Sequence, residues 1–327
     1  MSDGPWRITF DTNPDLCNLN CIMCEEHSIY RKNKREKNRM MDPTLITKVI
    51  EELSENGLEE IIPSTMGEPL LYPHFDNFLN LSDEYDFKIN LTTNGTFPKI
   101  EVDGWVMKLL PRCSDIKISI NGSNKKINER IMRGIKYEKW ISNIERFIEL
   151  RDELGNETTI TFQVTYMKSN FDDLEDLLKL AIEMGVDRFK GHHLWITWPE
   201  LRSESLTEDI ETRKRWNRKV DKLRNIADDL ISLDNVEKLS IDDKRNKLPE
   251  EYVCPFADRE AWIAWDGRFN VCCAPDERRR EFGDFGNIND RSFLDIWNSE
   301  KYRKFVKKAG KASVCKKCNM RRSKEDM

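Results

Sequence analysis

An α/β fold is expected for this chain: a parallel sheet closed or partly closed like a barrel, with a small second domain after it. Two features of the 327-residue sequence carry that expectation. From Arg7 to Trp198, strand-like runs alternate with amphipathic helical ones, and such alternation builds parallel sheets. Beyond Leu248 the sequence becomes short-segmented and turn-rich, and holds five of the nine cysteines. A chain of this length exceeds one ordinary hydrophobic core, so one large and one small domain is the default division.

Strands are expected at residues 7–11, 60–64, 87–91, 116–120, 159–166 and 188–194. Between them, Leu45, Ile46, Val49, Ile50 and Leu53 recur with helical spacing, as do Ile144, Phe147, Ile148 and Leu150. Leu174, Leu177, Leu178, Leu180 and Ile182 do the same. Six strands alternating with helices give a barrel domain over residues 1–200. Residues 208–233 predict one long, highly charged helix, a solvated connector within a 201–247 linker. Residues 248–327 form the second domain. The sequence contains no internal repeat.

Hydrophobic residues make up 38% of the chain and charged residues 35%, as in a soluble globular protein. A net charge of -5 argues against nucleic acid as a partner. No apolar run is long enough to span a bilayer, and "MSDGPWRITF" has neither the charged nor the apolar region of an export signal. In such a chain clustered cysteines point to metal rather than to disulfides, and the expected compartment is cytoplasmic.

Cys17, Cys21 and Cys24 follow the first strand with the spacing C-x3-C-x2-C. In a barrel, the loops after the strands form the active face. Zinc would take a fourth ligand, for which His27 is available. The alternative is a four-iron cluster with three thiolates and one open iron, which the amino and carboxylate groups of a small molecule can chelate.

With Met23 at the apolar position, "CNLNCIMC" resembles the C-x3-C-x-φ-C signature of the radical S-adenosylmethionine (SAM) superfamily. Further segments fall in family order at the next strand ends. Gly67, Glu68 and Pro69 are similar to the family's G-E-P segment, whose glutamate can accept hydrogen bonds from the methionine ammonium. "LTTNGT", with Asn94, resembles its T-N-G turn. In "SINGS", Ser119 and Gly122 match its S-x-D-G segment, but Asn121 replaces the aspartate. "NERIMRGIKY" resembles the segment that gives an arginine to the SAM carboxylate, with Arg133 preferred over Arg130, and Leu194 is placed against SAM by analogy. The resemblance spans residues 6–198 and implies a partial (β/α)6 TIM-type barrel. It further implies that SAM completes the cluster and is split by one electron. The resulting 5′-deoxyadenosyl radical abstracts a hydrogen atom, and the electron comes from a donor such as a flavodoxin or ferredoxin.

Cys254, Gly267 and Cys272 form C-x12-G-x4-C, and Cys315 and Cys318 follow as "CKKC". Four such thiolates could hold zinc as a ribbon does. Beside the barrel motifs they resemble the SPASM/twitch extension of radical SAM enzymes, as does the segment at 285–302. A full SPASM domain continues its second cysteine group, whereas Lys324 stands six positions after Cys318. The resemblance therefore implies the shorter twitch form, with one fully cysteine-ligated cluster and two [4Fe–4S] clusters in all. Cys272 is preferred by spacing, with Cys273 able to substitute. Cys113 reads as a buried structural thiol.

"RFKGHHLWITWPE" offers His192, His193 and Trp195 as substrate contacts, and strand alternation sends one of the two histidines inward. The basic run at 31–39 suits a phosphate, an acidic peptide or a reductase, or else a solvated loop. The expected activity is oxidation or epimerisation of a small polar molecule of sugar or aminocyclitol type. The auxiliary cluster would move electrons. The first strand starts too early to leave room for an N-terminal peptide-recognition domain. A maturase of ribosomally made peptides and a zinc-binding scaffold are the competing readings.

Overall fold

A computed structural model describes residues 4–32, 39–64, 66–241, 252–274, 276–318 and 320–323; most of the basic run at 31–39 lies outside them. Six strands pair in chain order and in parallel: β1 (Arg7–Phe10), β2 (Glu60–Ile62), β3 (Lys88–Thr93), β4 (Cys113–Ser119), β5 (Thr159–Tyr166) and β6 (Arg188–His193). The helices α1 (Pro43–Ser54), α2 (Phe75–Tyr85), α3 (Val102–Leu109), α4 (Lys125–Ile131), α5 (Tyr137–Glu153) and α6 (Leu174–Glu183) intervene. Helix α1 shows why they form. Asp42 caps it by accepting from the Thr44 N–H at 2.9 Å, Pro43 begins it, and Ile46, Val49, Ile50 and Leu53 make the buried stripe.

The two faces of the sheet differ in chemistry. Ile8, Phe10, Leu91, Ile116, Ile118, Phe162, Val164 and Phe189 are fully buried in the core. Their strand neighbours Thr9, Thr92, Lys117, Gln163 and Lys190 line an internal cavity instead. Period-two alternation thus separates an apolar outer face from a polar inner one. The sheet remains open, as a partial barrel does.

Two elements depart from expectation. Residues 208–233 are not one solvated helix. They divide into α7 (Ile210–Ala227) and β7 (Ser232–Asp234), which pairs in parallel with β6. Trp216, Val220, Leu223 and Ala227 form a stripe buried against the barrel, with the Trp216 ring 4.6 Å from those of Tyr166 and His193. Most of the charges that suggested a connector lie outside this stripe, although Arg213 and Lys219 are buried with it.

The second departure is at the opposite sheet edge. Strand β8 (Glu260–Ile263) pairs in parallel with β1, and β9 (Phe269–Asn270) folds back antiparallel on β8. The full order is β7-β6-β5-β4-β3-β2-β1-β8-β9. After α8 (Asp276–Arg279), α9 (Phe293–Trp297) and α10 (Glu300–Val306) enclose an aromatic core of Phe269, Phe293, Trp297 and Tyr302. Glu52 of α1 accepts the Phe293 and Leu294 N–H groups at 2.9 and 2.8 Å, docking α9 on the barrel. No helix among the described residues is long and apolar enough to cross a membrane.

Candidate active site

The chain leaves β1 into the three-cysteine loop, which is fixed by its backbone. Asn20 N–H donates to the Arg133 carbonyl at 2.8 Å and Ile22 N–H to that of Ile131 at 3.0 Å. The Trp198 indole donates to the Cys24 carbonyl at 2.9 Å. Cys17 Sγ accepts from Leu19 N–H at 3.4 Å, and Cys24 Sγ from His27 N–H at 3.3 Å. All three cysteines line one cavity. Burial pushes the Cys17 thiol up to about 12 and raises Cys21 and Cys24 as well, with Cys17 and Cys24 adding to the rise at Cys21. Each would have to lose its proton to become a ligand, and the three thiols open onto one cavity, as a site for a cluster taking three thiolates requires. His27 Nε2 is 2.9 Å from the Pro14 carbonyl and is committed there.

The segment after β2 locks against this loop. Glu68 N–H donates to the Leu16 carbonyl at 2.7 Å, and Asn13 Nδ2 to the Glu68 carbonyl at 2.8 Å. Gly67 has φ +79°, and a Cβ there would stand 2.3 Å from the Asn13 carbonyl oxygen, so only glycine permits the approach. The Glu68 carboxylate accepts from Asn94 N–H and the Thr93 hydroxyl, each at 2.7 Å, and is wholly buried. Desolvation raises its pKa to about 7 despite those bonds. Asn94 itself donates to Asn18 Oδ1 at 2.8 Å and approaches Cys17 Sγ at 3.8 Å.

The cavity measures about 700 Å³ and runs from the thiols down the barrel interior. Met23, Gly67, Glu68, Asn94, Ser119, His192 and Trp195 all line it. Deeper come Asn90, Asp115, Lys117, Gln163, Arg188 and Lys190, while Phe256, Trp262, Cys273 and Met320 close it from the C-terminal side. Arg278 lies over the Trp195 ring at 4.5 Å, linking the β6 loop to the second domain. Asn121 also lines the cavity, and its Oδ1 accepts from Thr165 N–H at 2.9 Å, a task the amide performs as well as a carboxylate would.

Three expected contacts are placed elsewhere. The Arg133 side chain is exposed and does not line the cavity, although its carbonyl holds the cysteine loop. Leu194 is buried outside the lining, with its N–H on the Tyr166 carbonyl at 3.2 Å. His193 packs on the opposite side of β6 from His192, edge-on to Tyr166 and Trp216. Strand parity allowed only one of the two to face inward, and Gly191 sets which. A Cβ on Gly191 would lie 2.0 Å from the Tyr166 ring, so the outer face is filled by that ring. The deep charged residues were missed. The alternation in "IKIS" and "RFKGHH" was their signal.

In the second domain, an isolated antiparallel bridge between Val253 and Arg322 brings Cys254 beside Cys318. Cys272 lies within electrostatic reach of Cys254, Cys315 and Cys318, and Cys318 within reach of Cys254 and Cys315. Cys273 hydrogen-bonds to Cys272, lowering the Cys272 pKa, and the Arg279 charge acts the same way. Arg279 also forms a buried ion pair with Asp11 at 2.9 Å. Cys113 is buried at the start of β4, away from both groups.

The sequence pattern of the Radical SAM superfamily matches residues 14–181, and that of an iron-sulfur cluster-binding domain, SPASM, matches residues 254–319. The second match replaces the zinc-ribbon alternative. A tungsten-containing aldehyde ferredoxin oxidoreductase cofactor-modifying protein of Pyrococcus furiosus is 25% identical, over 93% of this chain and 85% of that protein. Among solved structures, Streptococcus suis SuiB bound to S-adenosylmethionine aligns with a TM-score of 0.68 at 19% identity, over 97% of this chain and 71% of SuiB. BtrN in complex with AdoMet and 2-DOIA aligns with a TM-score of 0.53 at 18% identity, over 98% of this chain and 94% of BtrN. Both share its fold.

Proposed function

Because the chain belongs to the Radical SAM superfamily and carries a SPASM iron–sulfur region, we propose that it removes a hydrogen atom from a small polar molecule held inside the barrel, in an oxidation or epimerisation. The observation that supports this reading most is the cavity. It runs from the three thiols to an inner wall that carries amide, hydroxyl, carboxylate, ammonium and guanidinium groups amid apolar surface. Such a wall orients a compact polar molecule through a few placed hydrogen bonds.

In this reading Cys17, Cys21 and Cys24 hold a four-iron cluster, whose chemistry when SAM is bound is reductive cleavage to a 5′-deoxyadenosyl radical. Glu68 accepts from the SAM ammonium, Asn94 braces the turn beside Cys17, and Ser119 faces the ribose. Met23 and Gly67 complete the wall of the SAM site. His192 and Trp195 contact substrate. Residues 248–327 form the auxiliary unit. Cys254, Cys272, Cys315 and Cys318 ligate one cluster there, which accepts or supplies an electron. A flavodoxin- or ferredoxin-type donor reduces the enzyme.

The name of the P. furiosus relative connects that protein with modification of an oxidoreductase cofactor. A polar organic cofactor, or its precursor, falls within the same substrate class and is the first candidate to assay. The peptide alternative draws on SuiB, whose structure is also solved with the precursor peptide SuiA. Anaerobically reconstituted protein, given SAM, reductant and a deuterated candidate, is expected to form 5′-deoxyadenosine carrying the label. Formation of no 5′-deoxyadenosine under any condition would sink the proposal. Label transfer from peptides alone would favour the maturase.

A further inference from the structure

The deep end of the cavity has an uneven distribution of charge partners. Four cations line it: Arg7, Lys117, Arg188 and Lys190. The carboxylates around them are already engaged. Arg7 takes both Glu60, at 2.9 Å, and Glu260, at 2.6 Å. Glu60 is completed by Asn90 at 3.1 Å and Ser114 at 2.6 Å. Asp115 receives Lys117 at 3.1 Å, Arg188 at 2.9 Å and the Thr161 hydroxyl at 2.8 Å. Lys117 also donates to Asn90 Oδ1.

Lys190 meets this network only at its margin, through an Asp234 that it shares with Arg188 at 3.9 Å. Its ion partner is Asp234 of β7 at 3.5 Å, beyond ordinary hydrogen-bond length, and that carboxylate is 44% exposed outside the cavity lining. Lys190 lies in register with Gln163, which in turn lies in register with Ser119. All three face the cavity, and so does His192, two residues beyond Lys190 on the same face. Burial lowers the pKa of both His192 and Lys117, and the Lys190 charge adds to the fall at each. An ammonium and an amide therefore face the void with donors to spare, above a floor whose acids are spent.

We propose that Lys190, with Gln163 beside it, forms a subsite for an oxyanion carried by the substrate, either a phosphate ester or a carboxylate. The inference rests on the reading of the cavity as the substrate site and narrows the substrate to an anionic polar molecule. An ammonium lining the cavity pairs with such a group through a charge-assisted hydrogen bond. It also fixes which end of the substrate points away from SAM, and so which hydrogen is presented.

The test uses reconstituted holoenzyme with SAM bound, titrated with inorganic phosphate and separately with acetate, followed by tryptophan fluorescence. Trp195 and Trp262 line the cavity and serve as reporters. Saturable binding of at least one anion is expected, weakened about tenfold or more in Lys190→Gln, as for loss of a charge-assisted bond. Lys190→Arg should recover much of it. Preference for phosphate or for acetate identifies the group. SAM affinity and melting temperature should be unchanged in both variants. Binding of neither anion by the wild type, equal binding by Lys190→Gln, or loss of SAM affinity in that variant would overturn the subsite. Uncoupled 5′-deoxyadenosine formation, measured in the same samples without substrate, tests the proposed chemistry separately.

Discussion

Glu68 couples proton and ligand at the scale of one residue. Its carboxyl titrates near 7 because burial disfavours the charged form more than the Asn94 and Thr93 bonds favour it. An ammonium bound against it favours the charged form, so binding expels a proton wherever the pH lies below that value. SAM affinity is therefore expected to fall roughly tenfold per unit as pH drops below about 7, and to level off above it. Glu68→Gln should bind SAM more weakly with a flat profile, read by calorimetry at several pH values. The raised thiols work in the same direction. Each of Cys17, Cys21 and Cys24 must lose a proton to become a ligand, so iron and sulfide incorporation should increase with pH. Cys17→Ala should form no 5′-deoxyadenosine while retaining the auxiliary iron, about four per chain. The thiol spacing and Glu68 were legible because each sits in a short motif at a strand end. Lys190 was not, because attention to strand ends passes over residues in the middle of a strand. Arg133 was chosen for its side chain, which is exposed, whereas its carbonyl holds the cysteine loop through Asn20 N–H.

Elements were read with uneven success, for physical reasons. Strands β1 to β6 showed themselves through apolar runs, since their outer faces bury Ile, Phe and Val under helices. Helix α7 did not, because its buried stripe of Trp216, Val220, Leu223 and Ala227 is diluted by charged neighbours, and even Arg213 and Lys219 are buried on it. Strand β7 is three residues long, and a segment so short carries no periodicity. Trp216→Ala is expected to cost about 3–5 kcal/mol, seen as a lower melting temperature, because it empties the space between α7, Tyr166 and His193. A solvated connector would tolerate that change. Gly67→Ala should act on the loops instead: a side chain there meets the Asn13 carbonyl, so cluster loading should drop before global stability does.

Across the whole molecule, the second domain is bolted to the first at several points. Glu52 caps α9, the Lys48 ammonium donates to the Ile288 carbonyl at 2.7 Å, and Arg279 pairs with Asp11. Arg279→Met removes this cross-link between the two domains and should lower the melting temperature. Greater protease sensitivity after β9 and a lower auxiliary iron content are expected, measured by limited proteolysis and by iron analysis. The sequence indicated two domains but gave no sign of this union, since pairing between distant strands leaves no local mark. Strand β8 meets β1 across about 250 residues, Arg7 lying opposite Glu260. During synthesis, β1 therefore keeps one row of amides uncovered until about 250 further residues have emerged. That places a late, slow closure on the route to the native state and leaves an edge open to wrong partners meanwhile. Growth temperature and chaperone supply should consequently govern the soluble yield of this protein more than its final stability does.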